Sequence, residues 1–262
     1  MITASGGIVY HARAVRGLIK LLNPVCSWNP TRRHVSSWVR QWVESHRFKT
    51  LILIGPSAAY LMDDNIWSEI EQLVVIEPDR IAKWVFKRRF PELPRGSNSF
   101  VWIPRRDLLP YFSKQSDLFS DFLKNYDPQT TGILFFGCLG QLAFHKTEFS
   151  RAEDKSRALL LAATRHFNTA SLHDLASVTI PAISAKTASE VSGIQLNLAG
   201  PTYNADALGN LIEQVSSCLP RQTTLSWTDH DTYWLGCPQK ICTWGLTRKQ
   251  IHILGFTSQS PH

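Results

Sequence analysis

Several short stretches of this 262-residue sequence carry residue types that could hold a charged, hydroxyl-rich ligand. Gly55-Pro56-Ser57 follows the apolar run 50–54. Small residues there let a backbone approach a ligand closely, and the amides of a following helix favour negative charge. Glu77 closes a second apolar run, 22 residues after Gly55. An acid at that distance is placed to accept from both hydroxyls of a ribose. Arg106-Asp107 follows a third run, where a carboxylate can accept from the exocyclic amine of adenine. Gly137-Cys138 closes a fourth. Taken singly, Gly-Pro is an ordinary turn and an acid after a strand is an ordinary helix cap. Their recurrence in order, each at the end of an apolar run, makes them a set.

Groups able to move a proton are fewer. Thr228, Asp229, His230, Asp231, Thr232 and Tyr233 form the densest polar cluster. A histidine flanked by two acids can act as a base with a raised pKa; the plainer reading is a loop or strand end whose side chains face water. His145 follows the fourth apolar run, beside Lys146. His230, Tyr233 and His145 are therefore the candidates for contact with a substrate. Cys237 and Cys242 have C-x4-C spacing with no second pair, which does not fit a zinc knuckle, so no metal is expected. Cys138 has no evident base partner and is more often a small buried residue than a nucleophile. Neither a P-loop nor a G-x-S-x-G elbow occurs.

The elements that must position these residues alternate. The runs at 50–54, 73–76, 99–103 and 132–136 suit strands buried on both faces. Helical patterns lie between them at about 64–72, 79–90 and 114–125. The alternation predicts a doubly wound α/β sheet, whose ligands bind beyond the carboxyl ends of the strands. Before it, helices are expected over 8–22 and from Asn29-Pro30 onward. The second has Val35, Trp38, Val39, Trp42 and Val43 on one stripe, as packing residues. After it, Ser150 with Glu153 is a capping box for a helix to about Phe167. Residues 171–201 are ambiguous, with short strands expected near 176–180 and 194–198. Asn204 caps a further helix, and two last strands, 223–234 and 251–256, are expected to pair antiparallel.

Charge is concentrated. Residues 1–50 hold eight Lys/Arg and one acid, Glu44, a surplus equal to the whole net charge of +7. Such a segment can attract nucleic acid or another polyanion, or simply form a solvated face. Lys83, Lys87, Arg88 and Arg89, with Arg95, Arg105 and Arg106, make a second basic region. Five scattered cysteines fit free thiols in a cytoplasmic setting, and neither a secretory signal nor a membrane-spanning run is expected.

At this point the sequence resembles the class I S-adenosylmethionine-dependent methyltransferases, over roughly residues 49–140. The resemblance is carried by Leu51-Ile-Leu-Ile-Gly55-Pro-Ser57, Val75-Ile76-Glu77-Pro78-Asp79, Arg106-Asp107 and Ile133-Leu-Phe-Phe-Gly-Cys-Leu-Gly140. It implies a Rossmann-like sheet of seven strands, mostly parallel, with a C-terminal antiparallel hairpin. It implies S-adenosyl-L-methionine as cofactor, held by Gly55, Pro56, Ser57, Glu77, Asp107, Gly137 and Cys138. Ala58 and Ala59 stand where the family often has further glycines. A nicotinamide enzyme ranks lower, because Gly55-Pro56-Ser57 does not match G-x-G-x-x-G and Pro56 lacks an amide. The expected organisation is a basic helical extension, 1–48, before a methyltransferase-like domain, 49–262. The alternative is a catalytically silent protein of this fold that binds a partner or polyanion through its basic N-terminal segment.

Overall fold

The structure, a computed structural model, describes residues 28–67, 69–93, 99–104, 116–137, 162–179, 194–196, 213, 217, 226–229, 240–247 and 250–261. The helix expected at 8–22 and the capping box at Ser150 lie outside them, as does the helix from Asn204 apart from Glu213 and Ser217, which are helical. Asp107, Cys138, His145, His230 and Tyr233 lie outside them too. The chain divides into two compact units.

One unit comprises Val39–Ala59, Asp64–Leu172 and Ser258–His262. It holds strands β1 (Thr50–Ile54), β2 (Gln72–Ile76), β3 (Phe100–Ile103) and β4 (Thr131–Phe136), with the first part of β5 (Asn168–Thr179). All neighbours are parallel, in the order β3-β2-β1-β4-β5. Parallel strands need long crossovers, and α2 (Arg80–Arg89) and α3 (Ser116–Leu123) lie in two of them. β1 has β2 on one side and β4 on the other, so the strand order reverses at β1, as in a doubly wound sheet. Leu51 to Ile54 and Leu73 to Val75 are fully buried, which explains the unbroken apolar runs. The last turns of α1 (Asn29–His46) belong here too. Trp42 packs edge-on against Phe48 with ring centroids 4.8 Å apart. A Cβ on Gly132 would lie 2.7 Å from the Phe48 ring, so only glycine fits on β4 at that point.

The other unit comprises Met1–Trp38, Tyr60–Asp63 and His173–Thr257. The rest of β5 pairs antiparallel with β7 (Ser226–Asp229) and neighbours β9 (Gln250–Gln259), in the order β5-β9-β8-β6. β8 (Lys240–Thr247) pairs antiparallel with β9 and with the two-residue β6 (Gln195–Leu196). The first turns of α1 pack here, with Trp28 edge-on to Trp244 at 5.0 Å. Thr31 donates to the Thr243 carbonyl at 2.9 Å.

The fold is α/β and Rossmann-like. Nine strands form the sheet: β1 to β5 with β8 and β9 match the expected seven, and the two-residue β6 and four-residue β7 are additional. Two sequence expectations change. The C-terminal hairpin is β8–β9, whereas the expected partner of 251–256, the stretch 223–234, contributes β7 and pairs with β5 instead. The helix expected at 64–72 is a four-residue 3₁₀ turn, Asp64–Trp67. The amides of Glu71 and Gln72 donate to the Lys49 carbonyl, at 2.9 and 3.0 Å, so they are drawn into the sheet and cannot continue a helix. No helix among the described residues is long and apolar enough to cross a membrane.

Candidate functional site

The strand register sets the candidate site. Ile54 is level with Ile76 on one side and Phe135 on the other, so the residues that leave β1, β2 and β4 emerge at one edge. Gly55, Glu77 and Gly137 therefore share the carboxyl end of the sheet, beside the strand-order switch.

The loop after β1 is tightly wound. Gly55, Ser57 and Ala59 have φ of 69, 52 and 49°. Gly55 adopts this conformation freely, whereas Ser57 and Ala59 do so against a steric cost. The Gly55 amide donates to the Ile76 carbonyl at 2.9 Å, and the Ala59 amide to the Pro56 carbonyl at 2.8 Å. Pro56, Ala58 and Ala59 are buried, so the loop's apolar side faces the interior.

Glu77 joins this loop to the start of α2. Its Oε2 accepts from the Ser57 amide at 2.7 Å and its Oε1 from the Asp79 amide at 2.9 Å. The capping role belongs to Asp79, whose carboxylate accepts from the amides of Ile81 and Ala82. Glu77 is thus not the helix cap. It is only 6% exposed. Burial pushes its carboxyl up from 4.5 to about 7; the two amides pull it down and the neighbouring Asp79 carboxylate adds to the rise. Each oxygen spends one lone pair on an amide and keeps acceptor capacity for another donor. This is the chemistry that a vicinal diol requires, so the residues present fit the ribose end of an adenosyl cofactor.

Gly137 sits beyond β4 with φ 66°, exposed, and its amide donates to the Leu172 carbonyl at 2.7 Å. A Cβ there would meet nothing within 4 Å.

The described residues thus bring together Gly55, Pro56, Ser57, Glu77 and Gly137. Sequence reasoning missed Asp79 as the cap and Arg89 as a loop anchor. Arg89 leaves the basic cluster to donate from Nη1 to the Ala58 carbonyl, and it stacks on Phe90 at 4.8 Å. Its position at the end of α2, after four cations, gave no cue that it differs from them. In the basic N-terminal segment, Arg32 pairs with Asp63 at 2.9 Å, while Arg33 and Arg47 are exposed.

No protein-family model matches the sequence, and a comparison with curated proteins finds no match. Solved structures similar to the chain include the methyltransferase domain of bacterial CtHen1, at 12% identity and TM-score 0.39, covering 86% of this chain and 99% of that one. N-methyltransferase NodS from Bradyrhizobium japonicum, in complex with S-adenosyl-L-homocysteine, is similar at 11% identity and TM-score 0.38, covering 87% and 86%. Magnesium protoporphyrin IX methyltransferase from Synechocystis, with bound S-adenosylhomocysteine, is similar at 7% identity and TM-score 0.40, covering 87% and 83%.

Proposed function

We propose that the chain is an S-adenosylmethionine-dependent methyltransferase whose cofactor lies at the carboxyl ends of β1 and β2. The observation that carries this reading is the buried Glu77 carboxylate, tied to the Ser57 amide across the glycine loop at 2.7 Å. A surface acid has no need of such placement. A buried one with spare acceptor capacity is held ready for hydroxyl donors.

When bound, the donor supplies a methyl group on a positively charged sulfur. The chain's own part is to bind and to orient. Glu77 accepts from the ribose hydroxyls, while the amides of Ser57 and Asp79 fix its orientation. The tight loop through Gly55 presents backbone rather than side chain. Gly137, beyond β4, is assigned to the methyl-donor side of the site, and a Cβ there would meet nothing within 4 Å. Asp107 is assigned to the adenine amine and Cys138 to the loop after β4. His230, Tyr233 and His145 are the candidates to contact the acceptor or take its proton. Methyl transfer gains mostly from alignment of nucleophile, carbon and leaving sulfur, so one base at most is needed.

Calorimetric titration of the full chain with S-adenosylhomocysteine, with NADH as control, tests the reading. Binding of the first alone supports it. Binding of NADH, or of neither by a folded sample, contradicts it.

A further inference from the structure

Helix α2 reads RIAKWVFKRR, with five cations and no acid in ten residues. Its two faces differ sharply. Ala82, Val85 and Phe86 are buried. Arg80, Lys83, Trp84, Lys87 and Arg88 are all exposed, and they fall at i, i+3, i+4, i+7 and i+8, which is one continuous stripe. Trp84 is 63% exposed, in the middle of that stripe. The Arg88 guanidinium lies 5.2 Å from the Trp84 ring centre and covers one of its faces. Arg89, anchored to the Ala58 carbonyl, is not part of the stripe.

In the last turn Lys87, 5.4 Å from the Phe100 ring centre, and Arg88 complement the helix dipole, but the rest of the stripe is unfavourable for the isolated protein. Lys83 and Lys87 are like charges at i, i+4 and repel. Arg80 and Lys83 stand in or beside the first turn, where the helix dipole opposes cations and the Asp79 cap offsets it only in part. A row of anions relieves both.

We infer that the outward stripe of α2 binds single-stranded nucleic acid, with phosphates on Arg80, Lys83, Lys87 and Arg88 and a base stacked on the open face of Trp84. The stripe is ~12 Å long, enough for a short stretch of strand. Cations alternating with a lone aromatic ring match a strand that alternates phosphates with bases. An anionic membrane is the poorer match. An interfacial helix turns an apolar face outward, and the apolar face of α2 is spent on the core. This surface is distinct from the donor site and does not depend on it.

The test is fluorescence anisotropy of a labelled twelve-residue oligodeoxythymidylate with the full chain, over a series of salt concentrations. Vesicles of phosphatidylserine and phosphatidylcholine serve as the second probe. Trp84→Ala is expected to weaken oligonucleotide binding about tenfold or more. The triple variant Lys83→Ala, Lys87→Ala, Arg88→Ala is expected to flatten the slope of log affinity against log salt by about 2, roughly 0.7 per lost phosphate contact. All four substituted side chains are exposed, and circular dichroism melting confirms that the variants fold. Wild-type affinity and slope in both variants would overturn the inference. So would wild-type protein that binds the vesicles and not the oligonucleotide.

Discussion

Glu77 and the cation stripe of α2 begin three residues apart and live in opposite surroundings. Glu77 is 6% exposed, its oxygens are fixed by two amides, and burial raises its carboxyl to about 7. Arg80, Lys83, Lys87 and Arg88 stand in solvent around a tryptophan that is 63% exposed. A buried charge is costly, so its neighbours must hold it, and that fixes its direction to within a bond. Exposed charges cost little, are screened by salt and can move, so they attract rather than position. One segment of chain thus carries an instrument of orientation and a surface of attraction, and burial decides which is which.

The contrast can be pressed from several sides. The largest effect is expected within α2 itself. Phe86 is fully buried, and Phe86→Ala should lower stability by about 3–5 kcal/mol. Trp84→Ala, two residues earlier and outside the core, should change it by no more than about 0.5 kcal/mol. Denaturant titration of both variants gives the comparison directly.

Next comes the acid dependence of stability. Below pH 4.5 Glu77 is protonated in folded and unfolded chains alike, and its burial costs nothing extra. As pH rises from 4.5 through about 7, the unfolded chain releases the proton first, so folding loses stability, by about 3 kcal/mol in all. Unfolding of wild type and Glu77→Gln from pH 4 to 8 should show this loss in the wild type and its absence in the variant.

Ligand affinity should run the other way with pH. In the proposed site, ribose hydroxyls donate to the carboxylate, so binding would favour the ionised form. With the carboxyl at about 7 in the free protein, S-adenosylhomocysteine should bind about tenfold more weakly at pH 6 than at pH 8. Calorimetry at the two pH values reads it.

The smallest effect concerns the loop that meets Glu77. Ser57 has φ 52° and contributes its amide rather than its side chain to the Glu77 contact. Ser57→Gly keeps the amide and removes the steric cost, so it should raise stability by about 0.5–1 kcal/mol in thermal melts.

How far the sequence was legible follows from the same burial argument. β1, β2 and β4 were plain because both faces are buried and every side chain is apolar or nearly so. β5 was not, since its first half carries Asn168, Thr169, Ser171 and His173, which are polar yet buried and break the apolar run. β8 was missed for a related reason. Its buried Thr243 accepts from the Ile194 amide at 2.9 Å, a partner 49 residues away that no local pattern reveals. Glu77 was singled out by its distance from Gly55. Its partner, the Ser57 amide, was not, because a backbone donor leaves no mark in the residue types. The stripe on α2 was seen as charge but not as a surface, because the aromatic residues read as core and only the fold turns Trp84 outward.

The central claim is that the Glu77 carboxylate holds the donor. It is tested most directly by titrating wild type and Glu77→Gln with S-adenosylhomocysteine at pH 8, with circular dichroism showing both folded. The account predicts tight binding by the wild type and a loss of about a hundredfold in the variant, where an amide replaces an acceptor-only group that serves two hydroxyls. Equal affinity in the two proteins would contradict it and leave Glu77 as a brace between the β1 loop and α2.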